Sequence, residues 1–420
     1  MAEEAPQSTG AIARIVLLFM LLPATFAFER MAYYGMRAML FLHMSSELGM
    51  PTADAGRVYT VTAGVGIVTV LVGGALCIVL RPSLVVAAGA LLGIVAYVLL
   101  AASGSTASLW FALLILSLGQ GLFKPAVLAH AARELPHPRF HLRAALFVSL
   151  YSAINSAALM GSSSSGALAA VRGTGVSFVL SIVLASIGLV VALGAGGVDL
   201  FVKPNTPPSS PLRAGKVAIG AAVLVVALLP YHMAMSAESA MEFSVLRTAG
   251  ASSYGMLQTL NPVVVMGTCF LLFATFLALH FTKVRDLTLY GVGIGVTILA
   301  LAAAPTMIAA VSGSSLGDLS WLVGLSIVGM AVGEAIAGPL AMSRVVGDLP
   351  PRFTGLAAGV WLATSAGAGW LSSLVGNVAP AANKIVLALS VVACLVVGIA
   401  LVALTGYLKR NLYEPASGAE

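Results

Sequence analysis

The chain has 420 residues, of which 60% are hydrophobic and only 9% are charged. Soluble globular proteins carry about a quarter charged residues, so this composition excludes an ordinary soluble domain and indicates a polytopic membrane protein. The net charge of +6 comes without a basic cluster interleaved with aromatics, and we expect no nucleic-acid partner. The three cysteines are isolated and the histidines lack metal-ligand spacing, so we predict no disulfide, no metal site and no cofactor.

Apolar stretches long enough to cross a bilayer recur along the whole chain. They predict an all-α protein of twelve transmembrane helices, near residues 12–43, 55–80, 83–102, 108–132, 142–170, 175–198, 215–242, 254–282, 287–312, 318–346, 353–377 and 384–408. The N-terminus lacks the basic region of a cleaved signal, and the first apolar stretch is too long for one. We therefore expect the first helix to remain in the mature protein.

Lys and Arg predict the orientation, because they concentrate in cytoplasmic loops. With the N-terminus inside, fourteen of the 21 Lys and Arg fall in inner segments, four in outer segments and three within helices. An even number of spans puts the two termini on one side. The sequence thus predicts a multi-pass protein of the cell membrane, inner or plasma, with both termini in the cytoplasm.

The longest polar interruption in the middle of the chain lies at 197–213 and is rich in Pro and Ser. It predicts a cytoplasmic linker, at residues 199–214, between a six-helix bundle of residues 1–198 and a second one of residues 215–420. Two halves of six helices are the pattern of the major facilitator fold, in which the substrate lies at the midplane between the halves. Other folds also reach twelve spans, so the count alone leaves the fold open.

Six charged side chains interrupt the predicted helices: Glu29, Arg30, Arg37, Lys124, Glu238 and Glu334. Each charge near the bilayer centre costs about 2.5–3.5 kcal/mol on insertion scales, so these groups must face one another or a wet cavity. The three cations belong to the first half and two of the acids to the second. Such surfaces fit a zwitterion, with its carboxylate toward the first half and its ammonium toward the second. Structural pairing between helices is the alternative interpretation.

Side chains suited to binding a ligand share helix faces at three- or four-residue spacing. They are Tyr33 and Tyr34 in helix 1, Phe147, Tyr151 and Asn155 in helix 5, and Tyr254, Gln258 and Asn261 in helix 8. Asn both donates and accepts hydrogen bonds, which suits a peptide backbone or a polar head group, although a bond between helices is an alternative for Asn155. Lys124 precedes Pro125 in helix 4, where a snorkelling, purely structural lysine is the alternative.

These segments together resemble the proton-dependent oligopeptide transporter family, a branch of the major facilitators. Phe26-x-x-Glu29-Arg30-Met-Ala-Tyr33-Tyr34-Gly35 is similar to the family's helix-1 signature, Glu-x-x-Glu-Arg-Phe-x-Tyr-Tyr-Gly. The other similar motifs follow in consistent order: Gly119-x-Gly-x-x-Lys124-Pro125, Phe147 to Asn155, Leu257-Gln258-x-x-Asn261-Pro262, Gly333-Glu334 with Pro339 and Ser343, and Gly359-Val-Trp361. The resemblance covers about residues 15–410.

The resemblance implies a secondary active transporter, not an enzyme, that takes up di- or tripeptides with protons by alternating access. It assigns Arg30 and Lys124 to the peptide carboxylate. It assigns the ammonium to Glu334, Asn261 and Asn155, and the side-chain pockets to Tyr33, Tyr34 and Trp361. It also implies gating pairs between the halves, Arg37 with Glu238 and Lys124 with Glu334, and places proton coupling on these carboxylates and Glu29. We expect a monomeric functional unit whose partners are a small-molecule substrate, protons and the lipid bilayer.

Three departures from the family's pattern leave the substrate and the coupling open. Phe26 replaces the first helix-1 glutamate, the end of helix 2 at Arg81 lacks the usual Asp-Arg pair, and the linker is too short for two additional helices. The alternatives are a transporter of another small zwitterion or anion without proton coupling, and a non-transporting membrane sensor with the same binding site. Charges in both halves favour transport, because a receptor has no need of pairs that alternate.

Overall fold

The computed structural model describes residues 9–135, 139–201, 211–237, 251–282, 284–312, 320–378, 380–409 and 411. These residues form twelve long helices. In chain order they are α1 Thr9–Leu42, α2 Thr52–Val79, α3 Pro82–Ala101, α4 Thr106–Glu134, α5 Phe140–Arg172, α6 Gly175–Phe201, α7 Pro211–Ala227, α8 Ala251–His280, α9 Thr288–Ser312, α10 Ser320–Gly347, α11 Thr354–Val378 and α12 Pro380–Leu408. A π-helical turn, His43–Glu47, continues α1, a 3₁₀ turn, Pro351–Phe353, precedes α11, and after Leu228 helix α7 continues over 229–237.

The twelve predicted helices are confirmed, and the predicted linker at 199–214 stays a prediction. Helix α6 continues to Phe201 and α7 begins at Pro211, so both helices enter the segment assigned to the linker. An apolar stretch flanked by helix-compatible residues extends its hydrogen-bond ladder beyond the hydrophobic core, which hydropathy does not detect. Of the helices in the described ranges, eleven, all but α11, are long and apolar enough to cross a membrane. The division into two bundles stays a prediction.

Large apolar side chains cover the outside of these helices. Phe270, Leu271 and Leu389 expose 71%, 67% and 67% of their surface. Water would penalise such a surface, whereas a hydrocarbon environment does not, so only the charged and polar groups need to be turned inward.

Two glycine contacts bring helices together beside the charged residues of α4 and α10. A Cβ at Gly119 would lie 2.9 Å from the carbonyl oxygen of Gly89 in α3, and a Cβ at Gly333 would lie 2.7 Å from that of Gly295 in α9. Small residues permit such close approach of helix backbones. The next residues in the chain are Gln120 and Glu334, so each contact sets the position of a polar group.

The helices of the predicted first and second halves meet mainly through α2 with α11 and α5 with α8. The α2–α11 contact is close, because a Cβ at Gly355 would lie 2.8 Å from the Gly74 oxygen and one at Gly359 would lie 2.6 Å from the Val70 oxygen. Any larger side chain at these two glycines would separate the helices. We therefore expect this contact to control how the two sets of helices fit together.

Candidate functional site

Glu29, Arg30 and Gln120 form a closed polar cluster between α1 and α4. Arg30 donates from Nε and Nη2 to Glu29 Oε2, at 2.7 and 2.5 Å, and also from Nη2 to the side-chain oxygen of Gln120. Gln120 Nε2 donates to the other Glu29 oxygen, Oε1, at 2.5 Å. Glu29 and Arg30 each expose only 2% of their surface, and Gln120 exposes 7%. The two charges cancel inside the protein, as a buried pair requires.

Lys124 lies one turn after Gln120 on α4 and reaches the ring of Tyr33. Its Nζ is 5.4 Å from the ring centroid, and the Arg30 guanidinium carbon is 4.7 Å from the same centroid. Tyr33 therefore lies in contact with two cations, an arrangement favoured by the negative face of an aromatic ring. Within the described ranges, no carboxylate lies within 4 Å of the Lys124 ammonium.

Phe26 occupies the position at which the resembling family has a glutamate. Its side chain is 3% exposed, its ring centroid is 5.9 Å from that of Phe123, and the Arg30 guanidinium carbon is 5.9 Å from its ring. An apolar wall thus replaces a carboxylate beside Arg30, which leaves Glu29 as the acid of this cluster.

Glu334 of α10 lies in a second polar cluster, formed with side chains of α5 and α8. The Tyr151 hydroxyl donates to Glu334 Oε1, and the Asn261 side chain lies near the same carboxylate. Tyr231 of α7 lies against Tyr151. Glu334 has no cationic partner among the described residues. Its carboxylate is consequently held by neutral donors, which leaves its charge available to a cation.

The remaining predicted site residues differ in their surroundings. Asn155 donates to the backbone oxygen of Tyr151 on its own helix, at 3.0 Å, and Tyr34 stacks edge-on against Tyr33, at 5.5 Å between centroids. Trp361 is 3% exposed and its ring contacts His232, at 4.9 Å. Arg37 is exposed, one turn beyond Tyr33 on α1. Glu238, its predicted gating partner, lies outside the described residues.

The predicted pair of Lys124 with Glu334 is not formed in this conformation. Neither residue contributes to an ion pair in the described part of the chain, because Glu334 is held by Tyr151 and Lys124 lies over Tyr33. Whether the pair forms at another stage stays a prediction.

A second set of buried charges closes one end of the helices; we call this end the closed end, and define it by Arg143, Arg344, Asp286 and Asp348. Arg143 is fully buried, donates to the Gly347 oxygen at 2.5 Å and pairs with Asp348. Arg344 pairs with Asp286 at 2.8 Å and with Asp348 at 2.9 Å. The Arg143 contacts join α5 to the α10–α11 connection and so tie the two sets of helices together. The Arg344 pairs join α10 to that connection and to the segment before α9, within the second set.

Arg133 strengthens the closed end at the position where the usual Asp-Arg pair of helix 2 is missing. Its Nη2 donates to the backbone oxygen of Cys77 in α2, and its Nε donates to that of Pro351, both at 2.7 Å. Backbone carbonyls are thus among the acceptors of Arg133 at this end.

The sequence interpretation missed Gln120, Tyr231 and the four charged residues of the closed end. Gln120 was detectable in principle, because an amide between two glycines, one turn before a buried lysine, shares the face of that lysine. The closed end had no such signal across its elements: Arg143, Asp286 and Arg344 lie far apart in sequence, and only Arg344 and Asp348 are near neighbours, four residues apart.

No family model matches the chain. It is similar to the dipeptide and tripeptide permease A of Erwinia pyrifoliae, with 24% identity over 419 residues that cover 83% of each chain. The same permease of Klebsiella pneumoniae is 23% identical over 417 residues, 83% of this chain and 81% of that one. The di-/tripeptide transporter of Lactococcus lactis subsp. cremoris is 29% identical over 227 residues, 50% of this chain and 45% of the relative.

Solved structures share the fold over nearly the whole chain. A POT family transporter in complex with 5-aminolevulinic acid superposes with a TM-score of 0.64 at 19% identity and covers 93% of this chain and 96% of that one. A mutant of the peptide transporter POT in complex with alafosfalin gives 0.61 at 21% identity, covering 94% and 96%. The human organic anion transporter TETRAN gives 0.69 at 13% identity, covering 92% and 99%. The predicted resemblance is therefore confirmed: this multi-pass membrane protein is similar to dipeptide and tripeptide permeases and shares the fold of POT family transporters.

Proposed function

We propose that this protein is a secondary active transporter of the cell membrane that takes up di- and tripeptides by alternating access, coupled to protons. The observation that carries the proposal is the separation of opposite charges between two helices: Lys124 on α4 and Glu334 on α10 each have no ionic partner in the described part of the chain. Uncompensated charges in a membrane interior are costly, which makes them functional groups by default. A zwitterionic peptide neutralises both at once.

In this proposal the peptide carboxylate lies at the cationic end, beside Tyr33, where Lys124 and Arg30 meet. The ammonium lies at Glu334, with Asn261, Asn155 and the Tyr151 hydroxyl as further polar partners. Tyr34 and Trp361 border the space for side chains. Permease relatives named for di- and tripeptides support the substrate class.

Alternating access requires the closed end to open. Arg133, Arg143 and Arg344 make this end strongly basic, so the positive-inside rule assigns it to the cytoplasm. The structure would then represent a state shut toward the cytoplasm. In the opposite state the contacts of Arg143 with Asp348 and Gly347 break, and the predicted pair of Arg37 with Glu238 closes the outer side.

The test is uptake of labelled L-alanyl-L-alanine into proteoliposomes, with and without an inward proton gradient. We expect concentrative uptake by the wild type and its loss in Lys124→Ala at normal folding in detergent. Arg57→Ala is the matched control, because the Arg57 side chain is exposed and pairs only on the surface, with Asp54 at 3.1 Å. Uptake no faster than into empty liposomes would overturn peptide transport.

Phe26 favours a second candidate, transport of a zwitterion without proton coupling. A carboxylate at position 26 would lie one turn from Arg30 and could carry a proton between the two sides of the membrane, whereas the phenyl ring cannot. We expect the initial rate to depend only weakly on external pH between about 5 and 8 at fixed membrane potential, and Phe26→Glu to steepen it. A steep wild-type profile that Phe26→Glu leaves unchanged would exclude the uncoupled mechanism and move coupling to Glu29 or Glu334.

A further inference from the structure

We propose that Gln120 is a specificity-determining positioning residue: by holding Glu29 on Arg30, it leaves Lys124 as the cation beside Tyr33 that a substrate carboxylate can pair with. This inference rests on the proposed transport of peptides and refines the carboxylate end of the site. It distinguishes two cations that the sequence motifs treat alike.

The hydrogen bonds of the cluster of Glu29, Arg30 and Gln120 show how Gln120 positions the ion pair. Both Glu29 oxygens are occupied, Oε2 by Arg30 and Oε1 by Gln120, and the Gln120 oxygen accepts from Arg30 as well. Gln120 therefore bonds to both members of the ion pair, and removal of its amide would free one oxygen of Glu29 and one donor of Arg30. The cluster is 2–7% exposed, so no solvent is at hand to replace those bonds.

The surroundings of Lys124 differ from those of Arg30. Its ammonium and the Arg30 guanidinium contact the same Tyr33 ring, at 5.4 and 4.7 Å from the centroid, so the two cations border one small region. Only Arg30 has a carboxylate against it in the described ranges. A substrate carboxylate entering this region thus meets one compensated and one uncompensated cation.

A substrate specificity follows from this asymmetry. A peptide with one carboxylate at this end finds its counter-charge in Lys124. A peptide ending in Asp brings two carboxylates to the same place. The second finds no free cation over the Tyr33 ring, because Arg37, the other cation near Tyr33, is exposed one turn further along α1, and it lies near the Glu29 charge. An anion moved out of water without a partner is strongly disfavoured. We infer that the preferred substrates are peptides with a single carboxylate at the C-terminal end.

The experiment compares two peptides of nearly equal shape, L-alanyl-L-asparagine and L-alanyl-L-aspartate, which differ by one negative charge. Dissociation constants are measured by titration calorimetry on the purified full-length protein at neutral pH. The variants are Gln120→Met, which keeps the volume of the side chain but not its hydrogen bonds, and Glu29→Gln, which removes the carboxylate from Arg30. Ser117→Ala is the control, because Ser117 is buried on the same helix, one turn earlier, outside the cluster.

We expect the wild type to bind the asparagine peptide at least about tenfold more tightly than the aspartate peptide, the size of one charge-assisted hydrogen bond. Gln120→Met and Glu29→Gln should each reduce this ratio to about threefold or less, since Arg30 becomes available, and Ser117→Ala should keep it. A general packing defect would instead lower the affinity for both peptides and leave the ratio of their dissociation constants unchanged.

An unchanged ratio in both cluster variants, or equal wild-type affinity for the two peptides, would overturn the role of Gln120 while leaving peptide transport intact. Failure of the wild type to bind either peptide would instead overturn the proposed function, and the inference with it. If Gln120→Met does not fold, the affinity ratio of the two peptides in Glu29→Gln tests the inference by itself.

Discussion

The closed end and the interior site both bury charged side chains, but they pair them differently. At the closed end, Arg143 of α5 meets Asp348 across the boundary between the two sets of helices, while Arg344 pairs with Asp286 and Asp348 within the second set. In the interior, Glu29 and Arg30 are adjacent in sequence and pair on one helix, bridged by Gln120 of α4.

This difference in pairing distinguishes charged groups that stabilise one conformation from charged groups that are available to bind a ligand. Ion pairs that cross the boundary must break when the helices move, so they set the relative stability of two states. Pairs within one set of helices travel with it and are unaffected by the motion. Lys124 and Glu334 belong to neither kind, which is why they are the groups we assign to the substrate.

The most damaging change to the closed end is Asp348→Asn. It leaves the buried Arg143 without its carboxylate, and breaking a buried ion pair costs about 3–5 kcal/mol. We expect a lower apparent unfolding temperature in detergent and a larger population of states open at this end. Cysteine accessibility measures the second effect, since Cys77 is buried beside this end.

Asp54→Asn provides the comparison for that variant. The Asp54–Arg57 pair has side chains that are 50% and 78% exposed, and exposed pairs contribute about 0–1 kcal/mol. Equal unfolding temperatures for the two variants would show that the closed-end pairs do not stabilise this conformation.

In the interior, Glu334→Gln tests whether the acid binds an ammonium group. The change keeps the shape and the bond to Tyr151 but removes the charge, so the affinity for L-alanyl-L-alanine should fall by about 1.5–3 kcal/mol, tenfold or more. The unfolding temperature should change less than in Asp348→Asn. Unaltered peptide affinity would remove Glu334 from the ammonium site.

A smaller effect is expected from Tyr33, whose ring lies against both cations. Tyr33→Leu removes the aromatic face and should weaken peptide binding by about 1 kcal/mol, whereas Tyr33→Phe keeps the face and should stay close to wild type. Binding by the two variants in the same titration separates the ring from the hydroxyl. A loss in Tyr33→Phe equal to that in Tyr33→Leu would assign the role to the hydroxyl group.

The smallest expected effect is the loss of stability of the closed end at acidic pH. Burial acts to raise the pKa of the Asp286 carboxyl, but the Arg344 guanidinium and two hydrogen bonds from Thr288 outweigh it and hold this pKa below its usual range. A depressed folded-state pKa means that the stabilisation is fully present above the unfolded value, about 4, and is lost as the pH falls through the folded value.

We therefore expect the difference in unfolding temperature between wild type and Asp286→Asn to be constant from about pH 7 to pH 5 and to shrink below about pH 4. Thermal scans of both proteins across this range measure it. A difference that persists undiminished at the lowest pH would show that the Asp286 charge does not stabilise the closed end.

Much of this architecture could be predicted from sequence, because a bilayer imposes a simple length and polarity on each span. The twelve helices follow from apolar stretches, and the interior charges are conspicuous because the other charged residues of those stretches lie near their ends. Motif spacing also predicted which polar side chains share a helix face with Lys124 and Tyr33, since helical periodicity decides which residues are neighbours within one helix.

Partners across helices were decided only by the tertiary structure. The residues around each group do not predict that Gln120 of α4 donates to Glu29 of α1 or that Tyr151 of α5 donates to Glu334 of α10. They do not predict the ion pair of Arg143 with Asp348 either. Each depends on the rotation and depth of two packed helices, and the contacts Gly89–Gly119 and Gly295–Gly333 set these only once the backbones meet. The sequence by itself determined which polar groups need a partner inside the membrane protein. The packing of its helices decided which partner each group has, because a buried charge pairs with whatever donor or acceptor the fold brings within about 3 Å.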